Sequence, residues 1–198
     1  MDPKSERQLD PSIQRSLDPI VQANAELAIE RMRGVRLMSF DVDGVMTDGT
    51  LYFLESGEEM KAFNVLDGQG VKMLQEGGIR TAIFTARKSA IVERRAKSLG
   101  IEFVHQGVED KLAAFESLIS TIGLKYGDCG HIGDDLLDLP LLRRVGFAAS
   151  VPNAPPIVQS HVQYVTRAAG GRGAVREVCE CILQAQGKLD AVLRRYLR

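Results

Sequence analysis

Cysteine is scarce in this sequence. Cys129, Cys179 and Cys181 are the whole complement, an odd number with two of them separated by a single residue. That is a poor framework for secreted disulfides and too few ligands for a structural zinc site, so a reducing compartment is expected. An excess of either charge is missing as well. With 25 basic and 26 acidic residues the formal net charge is −1 at pH 7, and no bulk field draws the chain to nucleic acid or to an anionic membrane. No run approaches the roughly 18 apolar residues of a membrane helix. The polar opening MDPKSERQLDPSIQRSLDP holds no stretch that reads as a signal peptide. The expectation is a cytoplasmic, unanchored protein with no nucleic-acid partner and no membrane partner. Internal repeats and low-complexity tracts are also lacking.

What is there is ordinary globular material: 198 residues, 44% hydrophobic and 26% charged. At roughly 150 residues per domain this is one domain with some chain left over, long enough to bury about 70% of its unfolded surface. Residues 1–34 read as an N-terminal tail, solvated through residue 17, followed by a leading helix. In that helix Asp18 is the N-cap, Pro19 lies in the first turn, and Ile20, Ala23, Leu27, Ile29 and Met32 form an apolar stripe ending at Gly34. Residues 35–40 read as a buried strand running into Asp41, Val42, Asp43 and Gly44. A hairpin is expected over 51–54 and 59–63, turning at Ser56 and Gly57. Helices over 68–76, 88–99, 110–122 and 135–144 then alternate with strands over 79–84, 101–105, 129–133 and 146–149. Prolines at 152, 155 and 156 break the pattern before a short strand over 162–166 and a helix over 174–186. The fold class is α/β: a Rossmann-like parallel sheet flanked by helices and joined by right-handed crossovers. Residues 35–186 form that domain, and 187–198 read as a C-terminal tail with Arg194, Arg195 and Arg198.

In an open parallel sheet, ligands sit outside the carboxyl ends of the strands. The polar residues there are Asp41 and Asp43, Thr85, and the cluster Gly133, Asp134 and Asp135, while Lys111 opens the helix after the fourth strand. Two like charges about 4 Å apart repel by roughly 4 kcal/mol at an effective dielectric near 20, so clustered carboxylates need a cation. All-oxygen ligation with room for water and phosphate suits Mg²⁺ better than zinc. A carboxylate beside such a metal can accept a phosphoryl group as an aspartyl-phosphate. Asp41 is the candidate nucleophile and Asp43 the candidate general acid and base, with Thr85 and Lys111 holding the transferring oxygens.

Each of these residues has a plainer reading. A lone acidic pair after a strand is a turn or a cap, a lone Lys111 is a surface lysine, and a lone Thr85 caps a helix. Their common position at strand ends is what favours chemistry. Asp138, four residues after Asp134, suits either support for Lys111 or the metal, or a first-turn dipole partner. His131 reads as a hydrogen-bonded core residue, and His105 and His161 have no paired ligands. Cys179 and Cys181 point to different faces of a helix, where at least one is packing.

Together, DVDGVMTDG over 41–49, Thr85, Lys111 and GDDLLD over 133–138 resemble the four motifs of the haloacid dehalogenase superfamily of Mg²⁺-dependent phosphotransferases, across residues 35–186. The likeness continues through KAFNVLDGQG (61–70), QGVEDK (106–111) and GGRGAVREVC (171–179), which resemble a branch that dephosphorylates keto-sugar acids for lipopolysaccharide synthesis. The resemblance implies metal ligation by Asp41, the main-chain carbonyl of Asp43, and Asp134. It also implies a homotetramer, because no cap domain is inserted and members of this branch close neighbouring sites with their hairpins and C-terminal tails. Residues 50–64 are then an oligomer element; in a monomer they would leave apolar side chains and a sheet edge uncovered. Arg87 stands where nine-carbon phosphatases of the branch carry an acid, and its forked guanidinium suits the carboxylate of an eight-carbon sugar-acid phosphate. Ala86 departs from the usual glycine and narrows the phosphate approach. Arg172 either reaches a neighbour's pocket or is a surface arginine. Two other functions remain open: a phosphatase for another sugar-acid phosphate, such as a nine-carbon one, and a phosphoryl-receiving regulatory domain. Asp43 argues against the latter, since an acid and base beside the nucleophile hastens loss of the acyl-phosphate.

Overall fold

The structure, a computed structural model, describes residues 19–197. The tail read over 1–17 and the Asp18 cap lie outside the described residues. Strand β1 (Leu37–Phe40) is buried along its whole length, as expected for a strand covered on both faces by helices. Its neighbours are β4 (Arg80–Thr85) on one side and β6 (Cys129–Ile132) on the other. Beyond them lie β5 (Phe103–Gln106) past β4, and β7 (Phe147–Ser150) and β8 (Tyr164–Val165) past β6, all parallel. From β1 the chain proceeds outward in one direction and then returns to build in the other. The crevice of the fold therefore opens at the carboxyl end of β1. A separate antiparallel pair, β2 (Tyr52–Phe53) and β3 (Glu59–Met60), forms the hairpin expected after β1.

Helices α2 (Val65–Glu76), α3 (Ala90–Leu99) and α4 (Lys111–Thr121) start where side chains cap them: Asn64 accepts from the Leu66 N–H, Ser89 from Ile91 and Asp110 from Ala113. Helix α2 begins three residues before the apolar period suggested, because Val65 and Leu66 in its first turn point outward. The helix expected over 135–144 is instead a 3₁₀ turn, Leu136–Asp138, leading into the single turn α5 (Leu139–Leu142). Its start is bent by the Asp138 side chain, which folds back to bind main-chain amides. The proline-rich stretch contains a short helix, α6 (Pro156–Gln159). Helix α7 (Ala174–Ala185) matches its expected span, and a further helix, α8 (Leu189–Arg194), lies where the sequence read as a tail, with Val192 buried.

The leading helix is α1 (Pro19–Arg33), but its expected stripe is corrected. Ala28 and Met32, four residues apart, are buried, whereas Leu27 and Ile29 remain 41% and 44% exposed. Over 26–33 the face of α1 that meets the core is the narrow one carrying Ala28 and Met32, and the side chains of Ile20 and Ala23 lie outside the described residues. Gln186 secures that end of the molecule by donating to the carbonyls of Met32 and Val35 at 3.1 and 2.8 Å. The core beneath the crevice is filled by Phe40, Phe84, Phe115 and Phe147.

Candidate active site

Strand register decides which side chains meet at the crevice. Ser39 on β1 stands opposite His131 on β6, and Phe40 opposite Ile132. One step farther, the Asp41 N–H donates to the Ile132 carbonyl at 3.0 Å. The next residues on the two strands are thus Val42 and Asp43 on one and Gly133 and Asp134 on the other. The β1–β4 register, Phe40 against Ile83, brings Thr85 to the same rim.

At this rim Lys111, the first residue of α4, inserts an ammonium between two carboxylates, 2.7 Å from Asp41 Oδ1 and 2.6 Å from Asp138 Oδ1. Its side chain is only 3% exposed, so the charge is held by its partners rather than by water. Asp138 Oδ1 also meets His131 Nε2 at 3.0 Å, and its Oδ2 accepts the N–H groups of Asp134 and Asp135, each at 3.2 Å. Burial keeps His131 below its ordinary pKa. The neutral ring then donates Nε2–H to Asp138, leaving Nδ1 2.9 Å from Ser39 Oγ, whose one hydroxyl hydrogen is shared between Nδ1 and the Gly130 carbonyl at 3.0 Å. Ser39, His131, Asp138, Lys111 and Asp41 form one bonded chain running from the core to the rim.

The charges respond to these surroundings. Burial, and next the Asp138 carboxylate, push Asp41 up to about 7, with Lys111 opposing them. Burial and the Asp41 and Asp138 charges push Asp134 up to about 8. Burial acts upward on Asp138 too, but its bonds to His131 and Lys111 outweigh this and hold it down at about 2. Burial lowers Lys111, yet Asp41 and Asp138 together raise it above its ordinary value.

Asp41, Asp134 and Asp138 can place one carboxylate oxygen each within 4.8 Å of one another. The oxygens of Asp138 already have partners, whereas Asp134 Oδ1 is buried and has none among the described residues. An unpartnered buried oxygen on a carboxyl group that, like the neighbouring Asp41, is raised by desolvation and repulsion fits an all-oxygen site for a hard dication. Asp134 is pressed against the main chain of Gly44, where any Cβ would overlap its carboxylate. The first motif therefore needs glycine at that position.

Asp43 turns away from this cluster. Its Oδ1 contacts the Lys61 ammonium, which arrives from the hairpin on a side chain just 2% exposed. Glu59 lies 3.2 Å from Lys61 and 3.0 Å from Arg87 Nη2, and Arg87 Nε is 3.9 Å from Asp43 Oδ2. The structure thus brings together Asp41, Lys111 and Asp134, and sets Asp43 with Arg87 alongside. Thr85 is buried at the end of β4, its hydroxyl accepting the Arg87 N–H at 3.4 Å. Arg172 is not drawn in; it lies 3.6 Å from Asp48 with its side chain 71% exposed. Of the two readings of Asp138, contact with Lys111 is the one realised. Sequence reasoning missed Lys61 and Glu59, which carry no strand-end signature, and the link through Ser39. The last had a signal: a serine and a histidine inside otherwise apolar buried strands. A cavity of about 430 Å³ between α1, β8 and α7, lined by Met32, Tyr164 and Cys181, contains none of these groups.

Residues 101–177 match the family model of haloacid dehalogenase-like hydrolases. The chain is 46% identical over 162 residues to the 3-deoxy-D-manno-octulosonate 8-phosphate phosphatase KdsC of Escherichia coli K12, covering 82% of this chain and 86% of that one. It is similar to the crystal structure of a probable YrbI family phosphatase from Pseudomonas syringae, with a TM-score of 0.86, 53% identity, and 87% and 98% of the two chains covered. The 3-deoxy-D-manno-octulosonate 8-phosphate phosphatase of Moraxella catarrhalis, solved with a magnesium ion, a phosphate ion and KDO, is similar with a TM-score of 0.84 and 44% identity, over 86% of this chain and 98% of that one.

Proposed function

The chain belongs to the 3-deoxy-D-manno-octulosonate 8-phosphate phosphatases within the haloacid dehalogenase-like hydrolases, and from that premise we propose how its own residues carry out the hydrolysis of this phosphate ester to KDO and phosphate. The observation that carries the reading is the Asp41 carboxylate, 2.7 Å from the buried Lys111 ammonium and in one cluster with the unpartnered oxygen of Asp134.

Asp41 attacks the phosphorus in line. The bond from phosphorus to the sugar oxygen breaks, and Asp43 gives that oxygen its proton, leaving an aspartyl-phosphate on Asp41. Asp43, now a base, takes a proton from water as the water attacks the phosphorus; inorganic phosphate leaves and both carboxyl groups return to their starting states. Lys111 and the Thr85 hydroxyl hold the equatorial oxygens and offset the charge that develops on them. Mg²⁺ fits the oxygen-only donors of Asp41, Asp134 and the Asp43 main-chain carbonyl, and when bound it neutralises the phosphate and the clustered carboxylates. Arg87 receives the substrate carboxylate, which places the eight-carbon acid, and the reaction belongs to lipopolysaccharide sugar synthesis in the cytoplasm. The decisive experiment replaces Asp41 by Asn and follows Mg²⁺-dependent phosphate release; turnover equal to the parent overturns the nucleophile assignment.

The active assembly is a homotetramer, supported by the apolar surface on and beside the hairpin. Phe53 is 64% exposed, Leu54 51%, Met60 52% and Val65 81%, large apolar side chains of the kind that a subunit contact covers. Sedimentation of the parent and of Phe53→Ser tests this. A parent sedimenting as a monomer overturns the assembly.

A further inference from the structure

Asp67, in the first turn of α2, is 2% exposed and touches none of the groups assigned above. Its carboxylate receives the start of a different helix. Oδ1 accepts the Arg176 N–H at 2.9 Å and Oδ2 the Gly173 N–H at 3.3 Å. Gly173 precedes α7 and has no side chain with which to cap it, so the cap comes across the helix interface from Asp67. Asn64, itself the cap of α2, extends the clamp by donating Nδ2–H to the Gly171 carbonyl at 3.2 Å.

The clamped segment packs behind the loop that carries Asp43. The Gly171 N–H donates to the Val45 carbonyl at 2.9 Å. Gly170 lies so close that a Cβ would overlap the Gly44 carbonyl, and Gly44 is the wall against which Asp134 rests. From Asp67 to Asp134 every link is a hydrogen bond or a main-chain contact.

We infer that Asp67, assisted by Asn64, is a positioning residue of the phosphatase: it fixes residues 170–173 as a brace behind residues 43–47, and through the brace sets the places of Asp43 and Asp134. The inference rests on the roles proposed above for those two aspartates. A cap that served stability alone would cost melting temperature when removed and leave the chemistry of the folded enzyme intact. A loosened brace instead displaces reacting groups, and a shift of about 1 Å costs on the order of 100-fold in rate. Contiguity alone does not establish such coupling, so the experiment measures it.

Asp67→Asn retains the volume and one acceptor but turns a donor onto the Gly173 N–H. Asn64→Ala removes the second clamp. In the full-length chain, well below the melting temperature, each variant is compared with the parent for kcat, KM, calorimetric Mg²⁺ affinity and melting temperature. For Asp67→Asn we expect kcat to fall about 10- to 100-fold with KM within about twofold, the pattern of a lost transition-state arrangement, and Mg²⁺ to bind several-fold more weakly. The double variant should lose less than the product of the single losses, since both act on one segment. A lowered melting temperature with parental kcat and parental Mg²⁺ affinity overturns the inference. Should Asp67→Asn fail to fold, Asn64→Ala decides by the same split. An active Asp41→Asn would overturn the proposed function whatever Asp67 does; an inactive Asp41→Asn beside a parental Asp67→Asn overturns only the brace.

Discussion

Between β1 and β6 the charged groups are fixed by strand register, Ser39 facing His131, and each group in the chain from Ser39 to Lys111 is buried and bonded on both sides. Across the cleft Asp43, Lys61, Glu59 and Arg87 alternate in sign much as the inner groups do, but they ride on loops and on a hairpin of two-residue strands, with Arg87 43% exposed. The inner half is held in its arrangement by the protein's own bonds, which is what electrostatic stabilisation of a transition state requires. The outer half has exchangeable partners, which suits groups that must release one another to meet substrate. Removal of a group should therefore cost stability and rate together on the inner side, and mostly rate or affinity on the outer side.

The largest break in that contrast is Asp138→Ala. It leaves Lys111 with one partner and His131 with none at Nε2, and breaking a buried pair in this way costs about 3–5 kcal/mol. Denaturant titration should show that loss, with turnover down on the order of 1,000-fold; a variant of parental stability would make the two halves alike. Next comes metal removal. Asp41 and Asp134 have raised pKa values, about 7 and about 8. Raised carboxyl groups contribute stability that is present below their ordinary pKa of 3.8 and is lost as pH rises through the folded values. Metal-free protein should therefore melt lower at pH 8 than at pH 6, and the upward shift on adding Mg²⁺ should be larger at pH 8, because the ion displaces protons at the lower pH. A shift independent of pH would contradict those ligands.

On the outer side Lys61→Met should lower kcat/KM about 10- to 100-fold, the worth of one hydrogen bond to a charged group, with a smaller loss of melting temperature than Asp138→Ala, because Lys61 is buried but its partners Asp43 and Glu59 are 22% and 19% exposed and keep Arg87. A large loss of stability would place Lys61 with the inner network. The smallest effect is expected of Arg87→Lys, which keeps the charge and loses the fork: KM for the sugar-acid phosphate should rise about tenfold, roughly 1.4 kcal/mol, with kcat little changed.

The same divide governs what the sequence reveals. Strand ends in a parallel sheet share one rim, so Asp41, Asp134 and Thr85 could be gathered from periodicity alone, and Lys111 from its place at a helix start. The hairpin could be anticipated as a hairpin, but how it leans over the cleft depends on tertiary packing, and nothing in the spacing of Glu59 and Lys61 says that they reach Asp43. Asp138 showed its proximity to Asp134 but not its purpose, because a side chain folding back on its own turn is set by local main-chain amides rather than by helical period. The outward-facing Leu27 and Ile29 mark the opposite error: apolar residues at helical spacing need not all find a core.

Gly44 makes the chemistry vulnerable from an unexpected direction. The room occupied by the Asp134 carboxylate exists because a neighbouring position has a hydrogen where other residues carry a Cβ, so a heritable change to alanine would evict the carboxylate without replacing any ionisable residue in the protein. An inventory of acids and bases would pronounce such an allele intact.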